Sequence, residues 1–146
     1  MITEKKPIIV GFYGFSNSGK TTLIERLIGE LILRGKKVSA IKQSGHPVSM
    51  DTEGKDTHRF SKAGADPVIL TSTVATNVMF NKPLETNEII DLIATINKPD
   101  IIIIESVRDK DIMKFRIGDI EIRENTIWTY DGNFELLIEK ILNGGK

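Results

Sequence analysis

Residues 8–34 read IIVGFYGFSNSGKTTLIERLIGELILR, and the eight residues Gly14 to Thr21, GFSNSGKT, decide the fold. They satisfy G-x-x-x-x-G-K-[ST], and their surroundings suit that pattern. Ile8 to Tyr13 is a short apolar run of the kind that forms a buried strand. Beyond the loop, Leu23, Ile24, Leu27, Ile28, Leu31 and Ile32 recur at helical spacing over Thr21–Arg34, and Gly35 stops them. Glycines let such a loop curl so that successive N–H groups converge on phosphate oxygens, and the helix adds the positive end of its dipole. Lys20 is placed to reach the terminal phosphates and the Thr21 hydroxyl to ligate Mg²⁺. Strand, loop, lysine, threonine and helix together indicate a nucleoside triphosphate site. Asn17 lies within the loop and counts among its binding residues.

Working outward, strands and helices alternate. Lys37–Lys42 (KVSAIK) reads as a second strand, and the polar SGHPVSMDTEGKD after it reads as a functional loop. Asp56 is placed to cap a short helix, THRFSKA, ending at Gly64. PVILT and TNVMF are two neighbouring strands, and Asn87–Ile96 is a helix with Ile89, Ile90, Leu92, Ile93 and Ile96 inward. Asp100–Glu105 (DIIIIE) is the most hydrophobic run, as expected of a strand buried on both faces. KFRIGDIEIRE alternates around Gly118-Asp119, a hairpin signal. TIWTY is a last strand and Phe134–Leu142 a last helix. The expected fold is an α/β P-loop NTPase: three α/β/α layers, a mainly parallel sheet and a local antiparallel hairpin, all in one domain over 1–146.

Composition narrows the functional classes. The 146 residues carry 20 Lys+Arg against 20 Asp+Glu, so no global field favours nucleic acid or an anionic membrane. There is no cysteine, which excludes disulfides, thiolate metal sites and cysteine nucleophiles. No apolar run reaches membrane-spanning length, and MITEKKP lacks the apolar region of a signal peptide, so a cytoplasmic location is expected.

Glu105, closing the isoleucine run, is the candidate metal-side carboxylate and, with Lys20, the candidate catalytic pair. Asn97-Lys98-Pro99-Asp100 spells the N-K-x-D of guanine-reading proteins, but it follows a helix and leads into a strand. That puts it at the end of the sheet away from the phosphates, and it is rejected as the base reader. Lys42 and Arg59 flank the polar loop and suit an anionic ligand; Asp51 is a third candidate for Mg²⁺. His46 and His58 read as surface histidines. Arg108, Lys110, Lys114 and Arg116 read as a salt-bridged surface hairpin, with docking of a partner or a pterin phosphate as the alternative. Trp128 and Phe134 read as core.

Three segments together resemble the molybdopterin-guanine dinucleotide biosynthesis protein B (MobB) family: GFSNSGKTTLIERLI, GKKVSAIKQSGHPVSMDTEGKDTHRFSKAGA and DIIIIESVR. The middle segment is the most specific, and the similarity spans about the first three quarters of the chain. The resemblance maps the family's nucleotide loop onto Gly14, Ser18, Gly19, Lys20, Thr21 and Thr22. Lys42, His46, Asp51, Gly54, Lys55, Asp56, Thr57, Arg59 and Glu105 fall on its other motif positions. The chain departs from the pattern at Gln43, where the family carries histidine, and at Ser106-Val107, where it carries E-G-[FY] with Glu105. The resemblance implies a homodimeric GTP- and Mg²⁺-binding accessory protein with weak GTPase activity. It would assist the guanylyltransferase partner that joins GMP to molybdopterin, with molybdopterin itself a candidate ligand. A small-molecule kinase and a regulatory or metallochaperone-type NTPase are the alternatives.

Overall fold

The computed structural model describes residues 4–50 and 55–146. The candidates Asp51 and Gly54 lie outside the described residues. The chain gathers into two compact units, one of Met1–Ser44 with Ile90–Lys146 and one of Gly45–Ile89.

In the first unit, β1 (Ile8–Gly14), α1 (Lys20–Leu33) and β2 (Val38–Lys42) come first in the chain. The second unit holds α2 (Asp56–Lys62), β3 (Val68–Thr71) and β4 (Thr76–Met79), and α3 (Thr86–Asn97) runs from the second unit into the first. β5 (Ile101–Glu105), β6 (Met113–Ile117), β7 (Thr126–Thr129) and α4 (Phe134–Leu142) complete the first unit.

Its sheet has the order β2-β5-β1-β6-β7. Every pairing in it is parallel. Ile101, Ile102, Ile103 and Ile104 are all buried, which is why the run shows no alternation: a parallel strand inside a sheet has both faces covered. Val10, Phe12, Ile101, Ile103, Phe115 and Ile117 form one side of the core with Leu23, Leu27 and Leu31 of α1 and Leu137, Ile138 and Ile141 of α4. Each such side chain contributes about 1.5–3 kcal/mol relative to exposure. On the same strands, Gly11 receives Val107: a Cβ at residue 11 would stand 2.0 Å from Val107 Cγ1.

The antiparallel piece is β3 with β4, joined across Ser72–Ala75, not a hairpin around Gly118. After β6 the chain turns at Gly118 (φ 77°) and reaches Asn125 (φ 62°) without forming a strand, then enters β7 parallel to β6. The reason is that side chains take the backbone groups a hairpin ladder would use. Arg116 Nη1 donates to Ile120 O at 2.9 Å, and the Arg123 N–H donates to the Tyr13 hydroxyl at 3.0 Å.

Three helices differ from expectation in detail. Ile32 of α1 and Ile96 of α3 are exposed at 55% and 77%, so the apolar stripes stop short of the helix ends. Asp56 is the first residue of α2 and lies after the cap position, which Lys55 occupies; Gly64 (φ 111°) follows the helix end.

Candidate functional site: a phosphate loop at the carboxyl edge of the sheet

Because the sheet is parallel, the ends of β1, β2, β5, β6 and β7 open on one edge, where open α/β sheets take their ligands. β1 delivers Gly14 there. A Cβ at Gly14 would lie 2.5 Å from Ile117 O and 3.0 Å from Ser18 Oγ, so only glycine fits between loop and strand. The loop turns back at Ser18, whose N–H donates to Phe15 O at 3.2 Å. Positive φ at Asn17 (60°) and Gly19 (86°) curls it into the start of α1. Such alternation aims consecutive backbone N–H groups inward and makes an anion nest. Ser18 Oγ is buried with no hydrogen-bond partner among the described residues, a hydroxyl suited to a ligand oxygen.

Lys20 is 9% exposed and folds over the loop, its Nζ donating to Gly14 O and Phe15 O at 3.0 Å each. Phosphate oxygens would be stronger acceptors for that ammonium than neutral carbonyls. Thr21 and Thr22, the next residues of α1, are exposed.

Glu105 ends β5 beside this loop, paired in register with Phe12 of β1 and Lys42 of β2. The Thr21 hydroxyl donates to Glu105 Oε1 at 3.3 Å, and Lys42 Nζ stands 3.8 Å from the same oxygen. One hydroxyl and one carboxylate side by side fit Mg²⁺, which takes few protein ligands and completes its octahedron with phosphates and water. Lys42 is 70% exposed against 14% for Glu105, so their ion pair is weak enough for a cation to replace. The structure thus brings together Gly14, Asn17, Ser18, Gly19, Lys20, Thr21, Thr22, Lys42 and Glu105.

Arg59 lies on α2 of the second unit and is exposed. His46 and His58 also belong to that unit, where a cleft of about 720 Å³ is lined by Lys55, Thr57, Leu70, Met79 and Lys82, among others. N-K-x-D stands where the sequence places it. Asp100 precedes β5 at the opposite edge, and its Oδ2 accepts the Lys37 N–H at 2.8 Å while Lys37 Nζ donates to Asn97 O at 2.6 Å.

The basic cluster is not a surface hairpin. Lys114 is 1% exposed, and its ammonium donates to Asp109 O, to Ile112 O at 2.8 Å and to Glu124 O at 3.0 Å. Arg116 donates to Thr129 Oγ1 at 2.9 Å, and Lys110 forms a surface bridge to Glu124 at 3.6 Å. These cations tie down loop carbonyls left without a strand partner.

Sequence reasoning missed Arg123, which donates to Val107 O at 2.9 Å and lies over the Tyr13 ring at 4.6 Å. It also missed the backbone link from Gln43 N to Glu105 O at 3.1 Å, which brings the chain's one glutamine beside the carboxylate. The Gln43 link follows from extending the Lys42–Glu105 register by one residue. Nothing local in the sequence points to the Arg123 contact.

A family model described as MobB, molybdopterin guanine dinucleotide synthesis protein B, matches residues 9–138. The chain belongs to the MobB family. Relatives called molybdopterin-guanine dinucleotide biosynthesis adapter protein include one from Haemophilus influenzae, 47% identical over 75 residues, 51% of this chain and 42% of that protein. Another, from Escherichia coli strain K12, is 33% identical over 116 residues, covering 75% of this chain and 66% of that protein. The matches therefore span under two thirds of either relative's length. A crystal structure of Bacillus subtilis MobB superposes with a TM-score of 0.69 at 24% identity, covering 91% of this chain and 97% of that one. A MobB homologue from Bacillus stearothermophilus gives 0.67 at 14% identity, covering 92% and 98%. These likenesses establish the fold.

One departure from the MobB pattern now has a location. Ser106 stands where the pattern carries glycine and takes φ 65°, a conformation glycine adopts without strain. Its N–H donates to Phe12 O at 2.8 Å, fixing the chain beyond Glu105 against β1. No helix among the described residues is long and apolar enough to cross a membrane.

Proposed function

We propose that this MobB-family chain binds GTP with Mg²⁺ at Gly14–Thr22 and Glu105 and serves as an accessory protein in making the guanine dinucleotide form of the molybdenum cofactor. The observation that carries the nucleotide part is the Thr21–Glu105 contact at 3.3 Å beside a loop closed over by Lys20. The adapter names of its relatives support the pathway. Backbone N–H groups of the loop and Lys20 hold the phosphates. Thr21 and Glu105 hold Mg²⁺, which when bound neutralises charge on the phosphate oxygens. Lys42 adds positive charge at the same edge.

The chain holds its nucleotide and turns it over slowly. Fast phosphoryl transfer needs an oriented water and positive charge on the oxygens that gain charge in the transition state, and lack of an arginine finger alone costs about 10³–10⁵ in rate. Arg123 is engaged with Val107 and Tyr13, and Arg116 with Thr129 and Ile120. The missing groups come from a guanylyltransferase partner, with molybdopterin as a further ligand of the assembly, and the working form is a cytoplasmic homodimer. Single-turnover GTP hydrolysis by the isolated chain should be slow and should rise on addition of the partner. Rapid multiple turnover by the chain alone would overturn the accessory role.

A further inference from the structure

With N-K-x-D at the wrong edge, the base of a nucleotide held by this loop needs another reader, and strand register locates one. Gly14 of β1 pairs with Ile117 of β6, and one strand further on Arg116 pairs with Thr129 while the Tyr130 N–H donates to Arg116 O at 2.9 Å. Gly14, Ile117 and Tyr130 therefore lie in one row across three neighbouring strands, a lateral offset of about 10 Å at ordinary strand spacing. Asp131 is the next residue beyond that row, as Phe15 is beyond Gly14, so the two leave the sheet at the same edge.

The direction is the one a nucleotide would take. Glu105 stands on the β5 side of β1, and a Mg²⁺ ion held there with Thr21 would draw the terminal phosphates to that side. The α-phosphate, ribose and base then extend to the other side of β1, over β6 towards β7.

Asp131 is exposed and held in place. Its Oδ1 accepts the Asn133 N–H at 2.9 Å, and Asn133 is itself fixed by capping α4, its Oδ1 accepting the Leu136 N–H at 3.1 Å. Gly132 makes the intervening turn at φ 95°. Tyr130, at the root of the loop, packs edge-on to Trp128 with ring centroids 6.0 Å apart. We infer that Asp131 reads the base of the bound nucleotide, its carboxylate accepting the N1–H and the exocyclic N2–H of guanine. This rests on the nucleotide-binding reading above. An ionised carboxylate only accepts hydrogen bonds. Guanine offers it two donors, whereas adenine presents the N1 lone pair, so the site takes GTP in preference to ATP.

The test is equilibrium binding of Mg²⁺ complexes of GTP, ATP and xanthosine triphosphate to the wild-type chain and to Asp131→Asn. Xanthine carries a carbonyl where guanine carries its amino group, and the asparagine amide can donate to it. The wild type should prefer GTP, and Asp131→Asn should weaken GTP by about 10²-fold while strengthening xanthosine triphosphate, a gain that misfolding cannot produce. If the wild type binds GTP and Asp131→Asn keeps the same preference, the base assignment falls and the phosphate site stands. If the wild type binds none of the three, both fall.

Discussion

The ammonium of Lys114 donates to the carbonyls of Asp109, Ile112 and Glu124 from an almost fully buried position, so two loops without strand partners depend on one charge. Replacing it with methionine leaves those carbonyls short of donors and should cost about 1–3 kcal/mol, read from urea unfolding. The charge also has a pH signature. Burial is the main cause that pushes Lys114 below its ordinary 10.5; Asp109 opposes the shift, Arg123 adds to it, and Glu124 and Asp111 oppose it. Between the depressed folded-state value and 10.5 the unfolded chain binds more protons, so this group makes stability rise with pH in that alkaline window. Below the window its contribution is flat. Lys114→Met should remove the rise, and a variant whose stability tracks the wild type across the same window would refute it. Lys114 was illegible because a lysine in an alternating run reads as solvated, and only the register opposite Gly11 shows its surroundings. Lys20 and Thr21 were legible because the loop pattern is local, whereas Glu105 meets Thr21 across 84 residues and was legible only as the end of the buried isoleucine strand that pairs with β1.

At the scale of elements, β1 and the segment after β5 fit through one missing methyl group. Val107 fills the space above Gly11, while the Ser106 N–H and the Arg123 guanidinium secure the backbone on either side of it. Gly11→Ala should lose about 1–3 kcal/mol of stability through overpacking. Adding Val107→Ala should recover part of that loss, since the two changes share one space. Additive losses in the double variant would contradict the fit. Most elements were legible because their periodicities come from faces buried against α1, α4 or neighbouring strands. The 118–125 segment was misread for a definite reason. Its alternating Glu121, Ile122, Arg123 and Glu124 imitate a strand, but its backbone groups bond to Tyr13 and Arg116, and the Tyr13 contact spans 110 residues of sequence. No local pattern encodes a contact of that range.

At the scale of the molecule, the accessory role predicts association. The two-stranded β3-β4 sheet leaves Ile69, Leu70 and Val78 half exposed, and an isolated two-stranded ribbon is marginally stable in water. Sedimentation should show a homodimer at working concentrations, and a monomer at every concentration, with or without nucleotide, would rule it out. The edge that carries Gly14–Thr22, Glu105 and Asp131 belongs to one unit and one sheet, so the proposed nucleotide site can be tested in the chain by itself. The measurement is isothermal titration of Mg²⁺-GTP into the wild type and Lys20→Ala, with unfolding midpoints taken without nucleotide. The wild type should bind saturably at one nucleotide per chain, and Lys20→Ala should bind at least about 10-fold more weakly while still folding, its midpoint lowered only by the loss of the two bonds to Gly14 O and Phe15 O. Equal affinity in the variant, or no binding by the wild type, would contradict the account.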